Sequence, residues 1–107
     1  MALLDVKEHR LLDGVSTTGA GTSLKANRQK GWNFLFLGVS VTSGATIAIQ
    51  AEVGTNNWVT IHEETITADG YTIAQSEHGH YRALRANITA RTDGTYYVFA
   101  QGSTTGY

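Results

Sequence analysis

From Gly79 to Gly102 the chain reads as two strands of alternating apolar and polar residues joined by a turn at Thr92-Asp93-Gly94. Successive side chains on a strand point to opposite faces, so this alternation describes two half-buried strands joined by a tight turn. The rest of the chain repeats the pattern. Gly, Asn and Asp punctuate short apolar runs, and there is no proline and no cysteine. The expected fold class is all-β: an antiparallel β-sandwich or jelly roll of about eight strands with an extended N-terminal arm.

Along the chain, residues 1–14 read as an N-terminal arm or first strand, with the arm favoured because the segment is short for a stable helix. Residues 15–102 read as the sandwich domain and 103–107 as a loose C-terminal tail. Thr17–Thr22 is a turn-rich loop and Ser23–Asn27 a short strand. Trp32–Val41 has apolar residues on both faces near Phe34–Leu37, as a central strand does. After Thr42-Ser43-Gly44, Ala45–Val53 alternates, with Ile47, Ile49, Ala51 and Val53 on one face. A turn at Gly54–Asn57 leads into Trp58–Glu63, with Val59 and Ile61 on one face and Trp58, Thr60 and His62 on the other. Asp69-Gly70 is a turn, Tyr71–Ala74 a short strand and Gln75–Gly79 a polar loop. In Tyr81–Ala90, Leu84, Ala86 and Ile88 point inward and Arg85, Asn87 and Thr89 outward. Tyr96–Gln101 closes the domain.

Composition narrows the function. The 107 residues fit one domain, which buries roughly two thirds of its unfolded surface. The formal net charge is -1, with 16% charged residues. Nucleic-acid binders draw most of their affinity from phosphate contacts and carry a basic excess, so no nucleic-acid partner is expected. Without cysteine there is no disulfide and no thiolate metal site. Met1–Arg10 lacks the basic start and long apolar run of a signal peptide, and no segment has the length of a membrane span. The expectation is a soluble protein made in the cytoplasm, with no membrane partner.

Candidate chemistry is sparse. His78-Gly79-His80 has strand spacing for two metal ligands, with Glu77 adjacent and His62 or Glu64 as a third. The glycine and polar flanks favour a solvated loop or an interface that buries histidines. Adjacent carboxylates in His62-Glu63-Glu64 face opposite ways on a strand, whereas paired glycosidase carboxylates must converge. No Gly-x-Ser-x-Gly elbow is present, and Gly19-Ala-Gly21 lacks the strand–helix context of a phosphate loop. Asn87-Ile88-Thr89 matches a glycosylation sequon without a secretory signal. Arg82 and Arg85 fall on opposite sides of one strand and make no basic stripe. Trp58 and the tyrosines suit a sugar-stacking platform, a core or a protein interface. No catalytic residue, cofactor or metal is expected, and the chain reads as a binding surface rather than an enzyme.

Taken together, Asp13–Thr22, Thr42–Val53, Asn57–Ile61, Ala68–Tyr71 and Tyr81–Thr89 followed by Asp93-Gly94-Thr95 resemble the small all-β structural proteins of tailed bacteriophages. In size and texture the chain is similar to capsid decoration, or cement, proteins. That resemblance implies a virion location on the capsid surface, with the major capsid protein and the chain itself, as homotrimer or homodimer, for partners. Many weak copies on a symmetric lattice gain avidity. The resemblance also implies that terminal segments reach a neighbour. Partner-binding candidates are therefore Leu3, Leu4, Val6, Arg10, Leu11 and Tyr107 from the termini, with Trp58, His78 and His80 from the body. A tail, fibre or head–tail connector component is the alternative reading. A carbohydrate-binding module is the second, and it would lose glycan on Trp58→Ala. The arm reading predicts that removing residues 1–12 weakens capsid attachment, measured by co-sedimentation, while the domain stays folded.

Overall fold

Pairing in a computed structural model joins every strand to its neighbours antiparallel. The structure describes residues 6–25, 31–73, 77–78 and 82–103. The described residues contain no helix and form ten strands: β1 (Val6–Val15), β2 (Gly19–Ala20), β3 (Leu24–Lys25), β4 (Gly31–Val39), β5 (Ala45–Glu52), β6 (Trp58–Ile66), β7 (Gly70–Ile73), β8 (Glu77–His78), β9 (Ala83–Arg91) and β10 (Thr95–Ser103). One sheet, here sheet A, runs β1-β10-β4-β7 with β8 also on β4; the other, sheet B, runs β2-β9-β5-β6 with β3 also on β9. Counting β2 with β3, and β7 with β8, reduces ten strands to eight positions, ordered 1-8-3-6 and 2-7-4-5. This is the strand order of a jelly roll, so the all-β sandwich expected from the alternation is the observed fold.

The core lies between the sheets and is divided by residue type. Sheet A contributes Leu11, Leu12, Trp32, Phe34, Phe36, Tyr96, Val98 and Ala100; sheet B contributes Ala45, Ile47, Ile49, Ala51, Ile66, Leu84, Ala86 and Ile88. Every core aromatic therefore comes from β4 or β10, and these rings fill the space left by small and branched residues opposite. Large side chains against small ones give the interdigitation that dense packing requires. Leu84, Ala86 and Ile88 face inward as their alternation predicts.

Several local readings are corrected. The favoured arm is a paired strand from Val6 to Val15, hydrogen-bonded along β10. Its register breaks between Arg10 and Leu12, so a bulge turns two consecutive leucines inward. Leu11 is 1% exposed and lies in the core, which removes it from the partner-binding candidates. The expectation that residues 1–12 can be deleted without unfolding falls with it. A second bulge, between Ile49 and Gln50 of the β5–β6 pair, skips Ile61 and sets His62 opposite Ile49. His62 thus lies on the core-facing side, not beside Trp58 and Thr60. Val53 falls beyond the end of β5 and is 54% exposed instead of continuing the Ile47–Ala51 face. Parts of two segments read as loops pair as short strands: β2 with Ile88 and Asn87, β8 with Gly31 and Trp32.

One loop is fixed from a distance. The Asp93 carboxylate accepts backbone N–H groups from Thr42 (3.0 Å), Ser43 (3.0 and 3.1 Å) and Gly44 (3.0 Å), and Asp69 accepts that of Val41 at 2.6 Å. The β4–β5 connection is held this way by the two other turns at its end of the sandwich. Gly44 has φ +101, and a Cβ there would meet the Ile66 carbonyl oxygen, so glycine is required. The buried Tyr96 hydroxyl donates to the Asp93 carbonyl at 2.6 Å, much as the tyrosine corner of other sandwiches ties a turn to its strand. Burial first, then the Asp93 charge, pushes the Tyr96 phenol above its ordinary value.

Two predictions follow from this packing. Leu12→Ala opens a cavity beneath β1 and is expected to cost about 2–5 kcal/mol in urea unfolding, a large share of the roughly 5–15 kcal/mol that holds such a domain together. Removing residues 1–12 is expected to abolish the cooperative transition. The hydrogen bonds from Gly44, Thr42 and Ser43, in that order, lower the Asp93 pKa below its ordinary 3.8. A depressed carboxylate stabilises fully above its unfolded value, and that contribution is lost as pH falls through the lower folded value. Asp93→Ala should therefore reduce stability at neutral pH and flatten its fall below about pH 4 in urea titrations.

Candidate functional site

The two outer faces of the sandwich differ in chemistry. On sheet A, register rather than sequence proximity builds the surface. Tyr71 pairs with Leu37, Leu37 with Tyr97, and Tyr97 with Asp13, forming one row across β7, β4, β10 and β1. The next row joins Leu35, Phe99 and Arg10. Leu35, Leu37, Tyr97 and Phe99 are half-buried, while Val39 and Tyr71 are 42% and 66% exposed. Tyr97 and Phe99 stand two residues apart on β10 with their rings parallel, 4° between planes at 6.5 Å. The Arg10 guanidinium lies 5.5 Å from the Phe99 centroid and 3.1 Å from Asp13 Oδ1. This pair is well exposed and adds little stability, and its two opposite charges sit together at the β1 edge of the face. A contiguous apolar face rimmed by polar groups is the usual mark of an interaction site.

Sheet B presents polar groups, several of which pair with one another. Arg85 Nε donates to Gln50 Oε1 at 2.8 Å, and Gln50 Nε2 donates to Thr60 Oγ1 at 3.4 Å. Arg85 also covers the Trp58 ring at 4.3 Å. Glu52 pairs with Arg82 at 3.6 Å and accepts the Asn56 N–H at 3.0 Å. Trp58 is thus held by a cation–π contact worth about 0.5–1 kcal/mol at such a site, and one of its faces is occupied. Sugar stacking on Trp58 would have to use the other face.

The remaining polar pair lies at the open edge of the sandwich. His62 Nε2 and Glu64 Oε1 are 3.0 Å apart, and the Phe36 ring lies 6.2 Å from the imidazole. The two residues share a face at i and i+2, while Glu63 points away. Among the described residues no three His, Cys, Asp or Glu side chains are grouped to hold a metal ion.

The sequence-derived candidates do not converge. Arg10 belongs to the sheet A face, Trp58 to the outer face of sheet B, and Leu11 to the core. The backbone of Val6 pairs with Ser103 and that of His78 with Gly31. Leu3, Leu4, His80 and Tyr107 lie outside the described residues. The residues that form the apolar face, Leu35, Leu37, Tyr71, Tyr97 and Phe99, were not among the candidates. Two signals pointed to them: β4 is apolar on both sides, and Tyr97 and Phe99 fall on the opposite face from Tyr96 and Val98.

No family model matches the chain, and no curated protein matches it by sequence. Among solved structures, it is similar to the SPBc2 prophage-derived protein YomS, with a TM-score of 0.75 at 7% identity, covering 96% of each chain. It is also similar to PirA, with a TM-score of 0.53 at 11% identity, covering 92% of each chain. At these identities the likeness is one of fold.

Proposed function

We propose that this chain is a structural protein of a tailed-bacteriophage particle, specifically a capsid decoration protein that binds the outer surface of the major capsid protein shell. The observation that carries the reading is the asymmetry of the sandwich. One outer face is apolar and aromatic at its centre, with Arg10 and Asp13 at its β1 edge, while the other carries polar side chains, several of them paired with one another. A protein with this division is suited to burying one side in an assembly and presenting the other to water. The jelly roll is used by capsid proteins and lectins alike, so the fold is compatible with the reading without proving it. A prophage-derived protein that matches the chain end to end supports a phage setting. The chemistry found at the candidate residues, a two-member His62–Glu64 pair and an internally bonded Trp58, offers less support to the metal and sugar readings.

The test is to purify particles produced by the genome that encodes the chain and to label them with gold-conjugated antibody against it. Label in many copies over the heads is the expected result. Label confined to tails or necks would replace decoration with the tail or connector role. Absence of the chain from purified particles would overturn the structural reading.

A further inference from the structure

We infer that the outer face of sheet A is the dimer interface of this protein, its occupant a second copy of the same chain. The inference rests on the structural-protein reading for its biological setting and names what covers the apolar face: a second copy, so that contact with the shell falls to the ends and edges of the sandwich.

The argument begins with symmetry. A two-fold interface brings the same patch together twice, so residue i must suit j and j must suit i. The two rows on sheet A meet this condition. A two-fold axis lying across the strands, between the rows, sets Tyr97 against Phe99 of the second copy and Leu37 against its Leu35. It also sets Asp13 opposite Arg10 of the second copy, once at each side of the axis. Arg10 and Asp13 then meet their opposites, and the apolar residues of these two rows meet apolar residues. Any relative shift by one row places like charges or an unmatched polar group against the rings.

Area is consistent with this occupant. Three strands about 4.8 Å apart, used over some eight residues of about 3.3 Å rise, with the four residues of β7 beside them, present on the order of 450 Å². Two copies would bury about 900 Å², below the range of stable specific interfaces, which predicts a weak, reversible dimer rather than an obligate one. Sheets stacked face to face sit about 10 Å apart with strands within about 30°, a geometry that interdigitates half-buried side chains of this size. The aromatic stack of Tyr97 and Phe99 at the centre of the face is the kind of rigid anchor on which interface energy concentrates.

The experiment is sedimentation equilibrium of the purified chain over a wide concentration range. The wild-type protein is expected to pass from one chain to two in the range of about 10–100 μM, as an interface of this size allows. Leu37→Glu places like charges close to the axis and is expected to raise the midpoint at least about tenfold. Tyr71→Glu, at a position 66% exposed, tests the same face where a folding defect is not expected. Val59→Glu, 48% exposed on the other sheet, should leave the dimer unchanged. Far-ultraviolet circular dichroism and a thermal melt establish that each variant is folded. A single chain at every wild-type concentration, a closed trimer, or a dimer indifferent to both Leu37→Glu and Tyr71→Glu would each overturn the inference. If the chain is monomeric in solution yet labels the heads, the inference fails and the proposed function stands. If it dimerises through this face yet is absent from particles, the reverse holds.

Discussion

Contact between the aromatic inner face of sheet A and the small and branched inner face of sheet B is the interaction on which this molecule depends. Trp32, Phe34 and Phe36 project from one strand onto Ile47, Ile49, Leu84 and Ile88, with Tyr96 and Val98 beside them. Without disulfides or a described metal group, stability rests on removing this surface from water, at about 25 cal/mol per Å². The division also explains why β4 sits inside its sheet. Its inner residues are committed to the core, and its outer residues extend the apolar surface made by β10.

That arrangement leaves edges and ends to be managed. The β1 edge is distorted by two register breaks, and the β6 edge by one. Bulges on edge strands oppose open-ended pairing between molecules, so growth through strand addition is disfavoured. A face, by contrast, permits closure into a small symmetric assembly, as the proposed dimer would. At one end of the sandwich, Asp69 and Asp93 tie three turns together through backbone N–H groups. This costs two carboxylates their usual freedom and gives the β4–β5 connection a defined shape. A fixed loop end, a closed core and an apolar outer face suit a protein whose task is to occupy a place in an assembly.

Much of the fold was legible in the chain. Period-two alternation identified β5, β9 and β10 and the inward set Leu84, Ala86 and Ile88. Asp-Gly turns were placed at residues 69–70 and 93–94, though nothing local indicated that their carboxylates would fix a third loop. The misplaced faces of Leu11 and His62 have one physical source. A bulge reverses the face of every later residue yet adds no distinctive residue type, so Leu11 was placed outside and His62 away from the core. Strands of two residues, such as β2 and β8, exist because a neighbour offers hydrogen bonds, not because the segment prefers extension.

The candidate site was less legible for a related reason. Arg10 was read as an arm residue and Trp58 as a contact or stacking ring, each judged by type. Sequence by itself determined the all-β class, the central place of β4 and the residue types that fill the core, because alternation and apolar content are local properties of the chain. Only the tertiary structure decided that Leu35, Leu37, Tyr71, Tyr97 and Phe99 form one surface. These residues are spread across three strands, and their neighbourhood is set by hydrogen-bond register between segments distant along the chain.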